Sequence, residues 1–199
     1  MFESAELNHD ISKAVYRREE AKLRQGLLDA QNDLRASGRF AALIVIAGVE
    51  GAGKGEMVNL LNEWMDPRQI EVNAFDRPSD EEAERPPMWR FWRALPPKGK
   101  IGVFFGAWHT QPILDRVFGR IKTAEYDRRV SEIQRMEKML CDEGVLVLKF
   151  WFHLSKKQQK KRLKKLEREV DLPGRVSKLA WMLYDRYDDF TPVCEPFIR

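Results

Sequence analysis

A short glycine-rich segment with one lysine is the part of this sequence best suited to chemistry. Residues 48–55 read Gly-Val-Glu-Gly-Ala-Gly-Lys-Gly, which meets the spacing G-x-x-x-x-G-K. Glycines let backbone N–H groups curl around an anion, the start of a following helix adds partial positive charge, and the lysine adds a full charge. The segment predicts a phosphate-binding loop whose members are Gly48, Gly51, Gly53, Lys54 and Gly55.

Two predicted elements must position this loop. Residues 41–47 form an unbroken apolar run, which predicts a buried strand directly before it. Apolar residues at helical spacing predict a helix at 54–65, which Pro67 stops. Strand, glycine loop and helix in this order are the context in which a phosphate loop works. The alternative is a plain turn, because glycine-rich turns after strands also occur without a ligand.

The rest of the chain alternates between strand and helix patterns. Further strands are predicted at 70–75, 101–105 and 145–152, helices at 7–36, 88–95, 113–119, 124–142, 155–169 and 177–187, a loop at 76–87 and a break at Pro173-Gly174. This order predicts an α/β fold, a parallel sheet flanked by helices, with strand 41–47 central and strand 101–105 beside it. Ligands gather at the carboxyl ends of such strands. Neither a fifth strand nor a closing helix is predicted near the C-terminus.

Composition limits the classes of function. Lys and Arg number 35 against 31 Asp and Glu, a net charge of +4, which fits a polyanionic partner without requiring one. The two cysteines, Cys141 and Cys194, form no disulfide framework or metal-ligand spacing, so a cytoplasmic location is expected. Neither a signal peptide nor an apolar stretch long enough for a membrane span is evident, so no membrane partner is expected.

The predicted helix at 155–169 is unusually basic. Its cations are Lys156, Lys157, Lys160, Lys161, Arg162, Lys164, Lys165 and Arg168. Like charges one turn apart repel, and a polyanion along the helix would remove that repulsion. A solvated surface face is an equally weighted interpretation. Nucleic acid is the least favoured partner, because the aromatic residues do not interleave with these lysines as a base-stacking surface would require.

Several segments together carry a resemblance to a known family. They are Gly48–Glu56, Arg85–Arg93, Leu95–Phe104, Glu132–Leu140 and Lys149–Arg162. From about residue 10 to its end, the chain resembles the type-two polyphosphate kinases, and within them the N-terminal half of the tandem polyphosphate:AMP phosphotransferases. The tryptophan-arginine block and the lysine-rich helix are more specific to this family than the glycine loop is.

The resemblance implies a fold, a reaction and partners. The fold is a P-loop kinase-like three-layer sandwich with a helical lid, here with an N-terminal helical extension at 1–40 and the kinase-like domain at 41–199, expected to be truncated at its C-terminus. The reaction is Mg²⁺-dependent phosphoryl transfer between polyphosphate and AMP or another nucleotide. A second kinase domain beyond residue 199 and a homo-oligomer are expected partners.

The resemblance also implies roles for individual residues. Lys54 and Glu50 are the catalytic candidates, with Glu50 as the metal-associated carboxylate. The lid candidates that guide polyphosphate are Lys160, Lys161, Arg162 and Lys164. The acceptor-side candidates are Asp76, Arg77, Arg90, Arg93 and Trp108. For Arg90 and Arg93, surface exposure is an equally weighted alternative. For Trp108 and the other tryptophans, packing is the favoured alternative.

Four positions depart from the family pattern. Glu50 and Glu56 replace an Asp and a Gly of its glycine loop, and Phe105 and Gly106 replace the Asp and Arg of a second motif. Losing a metal carboxylate and a cation predicts a degenerate metal site and slow transfer, because charge neutralisation is most of this chemistry. Restoring Asp and Arg together is expected to raise activity. The alternative function is a non-catalytic scaffolding or dimerisation module of a larger tandem polyphosphate kinase.

Overall fold

Four parallel strands form the centre of the fold. The computed structural model describes residues 2, 6, 10–168 and 176–198. The strands are β1 (Ala42–Gly48), β2 (Ile70–Ala74), β3 (Ile101–Phe105) and β4 (Leu146–Phe152), in the sheet order β2-β3-β1-β4. β1 pairs with β3 on one side and β4 on the other, so the predicted central strand and its neighbour are confirmed.

Helices cover both faces of this sheet. In the described residues they are α1 (Lys13–Ser37), α2 (Lys54–Trp64), α3 (Asp80–Ala83), α4 (Trp89–Arg93), α5 (Thr110–Val117), α6 (Thr123–Asp142), α7 (Lys156–Glu167), α8 (Lys178–Asp185) and α9 (Tyr187–Ile198). The predicted α/β class, a parallel sheet between two helical layers, is therefore confirmed.

β1 is apolar at every position because it is buried on both faces. Leu43 and Val45 pack into a core with Phe104, α5, α6 and α9. Ile44 and Ile46 point to the other face and pack against α1 and α2. Successive side chains of a strand alternate between faces, so one continuous apolar run supplies both cores.

The C-terminal helix α9 was not predicted. Pro192 and Pro196 lie inside it, and a proline removes an N–H and crowds the preceding turn. Tertiary packing outweighs that local cost, because Cys194 and Phe197 are 1% and 6% exposed in the core formed with α5 and α6. The predicted absence of a closing helix is therefore wrong.

Smaller differences occur at element ends. α1 begins at Lys13 with Ser12 as its N-cap, later than predicted, and residues 7–9 lie outside the described residues, as does the predicted break at Pro173-Gly174. The predicted loop at 76–87 contains the short helix α3, which a reciprocal capping box of Ser79 and Glu82 stabilises.

The outer strand β4 leaves one apolar face uncovered. Leu146, Leu148 and Phe150 are 45%, 38% and 48% exposed, although they share a face with the buried residues of β1 beside them. α2 packs against β1 and β3. The apolar sequence of β4 thus predicts the strand but not the burial of its residues, because an edge strand has a neighbouring strand on one side only.

α1 is fastened to the end of α2. The side chain of Gln31 donates to the Asp66 carbonyl at 3.0 Å and accepts from the Asp66 N–H at 2.8 Å. Gln31 is 2% exposed, so both halves of its amide are satisfied inside the protein. The division into an extension at 1–40 and a domain from 41 stays a prediction. Within the described ranges, no helix has the length and apolar character to cross a membrane.

Candidate functional site

A cleft of about 450 Å³ opens at the carboxyl ends of β1, β2 and β3. The glycine loop after β1, the loop after β2 and the end of β3 supply one side, and β4, α5, α7, α8 and α9 supply the rest. Its lining includes Gly48, Val49, Glu50, Lys54, Phe75, Asp76, Phe105, Gly106, His109, Thr110, Trp151, Gln159, Leu183, Tyr187 and Phe190. The three loops therefore meet where the parallel topology places ligands.

The glycine loop is shaped by contact with β4. Gly48 has φ 139°, and a Cβ on it would lie 2.1 Å from the carbonyl oxygen of Phe152. The Val49 N–H then donates to that same oxygen at 2.9 Å. A side chain at position 48 would push the two strands apart, so glycine here is a packing requirement as well as a member of the predicted phosphate loop.

Lys54 lines the cleft, and all three of its ammonium donors are engaged. Its ammonium group donates to the carbonyl oxygens of Gly48 at 2.9 Å and Val49 at 3.1 Å, and to the Glu50 carboxylate at 3.0 Å. An ammonium group has three donors. The side chain is only 12% exposed. An anion that binds Lys54 must therefore displace one of these internal partners.

Two carboxylates line the cleft, and both already have partners. Glu50 pairs with Lys54, and Asp76 accepts a hydrogen bond from the Arg77 N–H at 2.8 Å. Among the described residues, no group of three or more His, Cys, Asp or Glu side chains is arranged to hold a metal. Mg²⁺ commonly binds one or two carboxylates together with substrate phosphates. The residues fit a metal that arrives with phosphate better than a preformed site.

Phe105 and Gly106 make the end of β3 apolar. Both line the cleft at the positions where the resembled family has Asp and Arg. Gly106 has φ 74°, and a Cβ on it would lie 2.6 Å from the Phe75 carbonyl oxygen. No side chain fits there without a backbone shift. The expected restoration of Arg at this position therefore conflicts with the local backbone.

The basic helix α7 lies directly on the glycine loop. A Cβ on Gly51 would be 3.3 Å from Leu163 Cδ2, and Leu163 is 2% exposed. Gln159, also 2% exposed, donates from Nε2 to the Glu50 carbonyl oxygen at 3.0 Å. Arg162 Nη2 contacts Glu56 Oε1 at 2.9 Å. One face of α7 thus covers the loop.

The lysines of α7 point away from that buried face. Lys160, Lys161 and Lys164 are exposed, and the Lys160 ammonium lies 5.9 Å from the ring centre of Tyr184. An apolar inner face and a cationic outer face fit both interpretations of this helix. The position of α7 over the loop matches that of a lid, and the role of its lysines stays a prediction.

The acceptor-side candidates separate into two groups. Asp76 lines the cleft, and Arg77 next to it is exposed. Arg90 donates to the Asp76 carbonyl oxygen at 3.0 Å and stacks on Phe75, so it supports the loop from behind. Arg93 stacks on Trp89 at 4.7 Å on the exposed side of α4, away from the cleft lining.

Trp108 is part of the core. It is 2% exposed, packs edge-on against Phe91 and Phe104, and is absent from the cleft lining. Its Nε1 donates to Glu137 Oε1 at 2.9 Å. These contacts support the packing interpretation, and they leave Trp108 no surface to present to a substrate in this arrangement.

His109 and Glu137 form a buried polar pair beside the cleft. His109 Nε2 lies 2.9 Å from Glu137 Oε1, and Lys149 donates to Oε2 of the same carboxylate at 2.9 Å. Burial is the largest influence on His109 and lowers its pKa. Burial opposes ionisation of Glu137, but donors from His109, Lys149 and Trp108 outweigh it and lower the pKa to about 2. We therefore assign a neutral imidazole donating to an ionised carboxylate near pH 7.

The sequence patterns did not predict that the C-terminal helices form one wall of the cleft. Leu179 and Leu183 of α8 and Tyr187 and Phe190 of α9 line it, together with Gln159. The i, i+4 spacing of the two leucines was the available signal. That these two leucines line the cleft could not be inferred, because their position depends on how α8 and α9 pack over the sheet.

Comparison with known proteins agrees with this geometry. A family model described as polyphosphate kinase 2 matches residues 10–199. A curated polyphosphate:AMP phosphotransferase of Pseudomonas aeruginosa is 55% identical over 199 residues, which are 100% of this chain and 40% of the relative. A protein of the same name from Acinetobacter johnsonii is 30% identical over 177 residues, 89% of this chain and 36% of the relative.

Solved structures show the same likeness in three dimensions. A Pseudomonas aeruginosa crystal structure named for the same family superposes with a TM-score of 0.86 at 52% identity, over 98% of this chain and 40% of that chain. The polyphosphate kinase 2 structure from Arthrobacter aurescens gives a TM-score of 0.88 at 27% identity, over 94% of this chain and 68% of that chain. The chain thus spans about two fifths of the length of the curated Pseudomonas relatives that it matches.

Proposed function

This chain belongs to the polyphosphate kinase 2 family, and we propose that it is a polyphosphate-dependent nucleotide phosphotransferase domain with AMP as the nucleotide. One observation carries the proposal: Lys54 and the start of the glycine loop, residues 48–50, line a cleft, and the basic helix α7 packs over that loop. The names of the similar proteins support the choice of polyphosphate and AMP. A second kinase domain in a longer protein, a homo-oligomer and a cytoplasmic location belong to the same proposal.

The proposed transfer is a displacement at phosphorus. A phosphate oxygen of AMP attacks the terminal phosphorus of polyphosphate, the P–O–P bond breaks, and the products are ADP and a polyphosphate one unit shorter. Lys54 and the loop N–H groups would hold a phosphate, because both present positive charge to it. The lysines of α7 would guide the rest of the chain. Asp76 and Arg77 stand where an acceptor could be held.

Mg²⁺ would be held by Glu50 together with substrate phosphates, with Asp76 as the other carboxylate of the cleft. When bound, the metal would neutralise charge on the transferring phosphoryl group. Oε1 of Glu50 is engaged by Lys54 at 3.0 Å, so both carboxylate oxygens are available to a metal only after Glu50 leaves Lys54. A phosphate that replaces Glu50 on Lys54 would therefore release the carboxylate.

A second candidate function has its own observation. Phe105 and Gly106 place apolar surface and backbone where charge stabilisation is needed, so the chain is suited to a scaffolding or dimerisation module of a larger polyphosphate kinase. Such a module would keep the anion site, since the loop donors do not involve Phe105. Binding without transfer is the behaviour that this candidate predicts.

The anion site is tested by calorimetry with pyrophosphate and short-chain polyphosphate. Replacing Lys54 with Ala is expected to weaken binding about 10- to 100-fold, because a charged hydrogen bond contributes about 1.5–3 kcal/mol. Lys22→Ala, an exposed lysine on α1, is the control with the same loss of charge. Equal affinities for the Lys54→Ala variant and the unaltered protein would refute a phosphate role for the loop.

Transfer is tested by measuring ADP formed from AMP, Mg²⁺ and polyphosphate. We expect slow turnover, since each lost charged contact of the transition state commonly costs about 10²–10³ in rate. Turnover that disappears in the Lys54→Ala variant supports the phosphotransferase. Polyphosphate binding with no ADP formed at any enzyme concentration would establish the scaffolding candidate instead.

A further inference from the structure

An ion pair joins the basic helix to the first turn of the helix that follows the glycine loop. Arg162 Nη2 on α7 lies 2.9 Å from Glu56 Oε1 on α2, across a sequence separation of 106 residues. The two side chains are 34% and 47% exposed, so a solvent ion or a ligand can reach them. Glu56 stands where the resembled family has glycine, which could make no such contact.

The ion pair belongs to a set of contacts that close α7 on the loop. Gln159 Nε2 donates to the Glu50 carbonyl oxygen, and Leu163 packs against Gly51. This closed arrangement has a cost, because Gln159 Oε1 is buried and has no hydrogen-bond partner among the described residues. Contacts such as the one between Glu56 and Arg162 offset that cost.

The protein's own carboxylates thus occupy two cations suited to phosphate. Glu50 contacts Lys54 at 3.0 Å inside the cleft, and Glu56 contacts Arg162 at its rim. A carboxylate and a phosphate compete for the same donors of a guanidinium group. An entering polyanion that binds the Nη2 group of Arg162 competes with Glu56 for it.

We propose that Glu56 and Arg162 form a latch that holds α7 closed on the glycine loop, and that polyphosphate opens it by exchanging its own oxygens for Glu56 on Arg162. The inference rests on the proposed function in that a polyphosphate is the ligand. It adds a residue, Glu56, that sets the affinity for polyanions. Glu56 lowers that affinity, and its removal raises it.

The latch is tested first without any ligand, by amide hydrogen exchange and mass spectrometry. Glu56→Gln removes the charge and keeps the shape of the side chain. We expect exchange of the α7 amides to become about two- to fivefold faster, the effect of losing a partly exposed ion pair. The control is Glu71→Gln, because the Glu71–Lys100 pair has the same 2.9 Å separation with 45% and 35% exposure. Unchanged exchange in α7 would overturn the latch.

The second test is a double-mutant cycle read by calorimetry with short-chain polyphosphate. Glu56→Gln is expected to tighten binding about two- to fivefold, and Glu71→Gln to leave it nearly unchanged. In an Arg162→Gln background, Glu56→Gln should increase the polyphosphate affinity less, because the cation that the substitution would release is absent. A gain of equal size in both backgrounds would mean simple repulsion of the polyanion by Glu56, and would refute the latch.

The two readouts separate this inference from the proposed function. Faster exchange in the Glu56→Gln protein with no polyphosphate binding in any variant supports the closing contact and refutes polyphosphate as its ligand. If Lys54→Ala weakens polyphosphate binding and Glu56→Gln leaves the affinity unchanged, the result supports the function and refutes the latch.

Discussion

At the residue scale, Gly106 links the backbone of β3 to the chemistry that the cleft can support. Its φ of 74° and the Phe75 carbonyl oxygen 2.6 Å from any Cβ leave room for glycine alone. The Asp-Arg pair of the resembled family therefore differs from Phe105-Gly106 in backbone conformation as well as in charge. Position 105 lies on β3, where the backbone is not left-handed. Phe105→Asp alone is therefore the better first step in restoring the site.

Gly106→Ala should destabilise the protein. We expect a loss of at least about 1–2 kcal/mol in the free energy of unfolding, because a left-handed residue with a Cβ is strained and the Cβ also meets a carbonyl oxygen. Urea unfolding monitored by tryptophan fluorescence measures it.

Gly26→Ala is the matched control, since Gly26 lies within α1 and a Cβ there would meet nothing within 4 Å. It should stabilise by about 0.5–1 kcal/mol, the usual gain of Ala over Gly inside a helix. A Gly106→Ala protein as stable as the unaltered one would show that the β3 end relaxes freely, and would make the full Asp-Arg restoration feasible.

At the element scale, α7 combines two properties in one helix. Gln159, Leu163 and Leu166 are buried on its inner face, while the lysines lie outside. The inner face explains why the helix forms despite repulsion among its cations, because burial of apolar side chains supplies the stability that local charge opposes. The outer face leaves the cations available to a polyanion.

Neutralising Lys160, Lys161 and Lys164 to Gln together should reduce the salt dependence of polyphosphate binding. If the polyanion lies along these residues, binding releases counterions, and the slope of log affinity against log salt should fall by about 2 for three lost charges. Calorimetry from low to moderate salt gives the slope.

The control replaces Lys13, Arg17 and Lys22 of α1 with Gln, which removes the same total charge from another exposed helix. If both triple variants change the slope equally, only net charge matters, and the outer face of α7 is a solvated surface.

At the scale of the whole molecule, the buried His109–Glu137 pair ties α5 and α6 together beside the sheet. Burial lowers the pKa of His109 in the folded protein, while the unfolded chain has the ordinary value near 6.5. As pH falls below 6.5, the unfolded state takes up a proton that the folded state resists. The contribution of His109 to stability is therefore complete above this pH and is lost progressively as pH falls below it.

Replacing His109 with Gln should flatten this pH dependence, because Gln can still donate an N–H to Glu137 and does not titrate. The difference between the two proteins isolates His109, since all other groups are common to both. Urea unfolding at pH 8, 7, 6 and 5 measures it, with a limiting slope of about 1.4 kcal/mol per pH unit for one proton. Parallel stability curves for the two proteins would show that His109 takes up its proton equally in both states.

Much of the fold follows from local sequence. The apolar run at 41–47 predicted the central strand, the glycine spacing predicted the loop, and the helical periodicities placed most of the helices. These signals work because strand and helix periods and glycine conformations depend on residues that are near in sequence. These local signals did not predict α9, because its two prolines disfavour a helix. Only the core contacts of Cys194 and Phe197 stabilise the helix there.

The site depended on tertiary structure for its chemistry. The sequence alone predicted a phosphate loop around Lys54 and a basic helix at 155–169, and it showed that Phe105 and Gly106 replace charged residues of the resembled family. Only the folded chain decided that Lys54 is bound by Glu50, that Arg162 meets Glu56 across 106 residues, and that Phe75 closes the space at Gly106. The physical reason is that contacts between distant residues are set by how the sheet orders its strands and how helices pack over it, which local patterns do not encode.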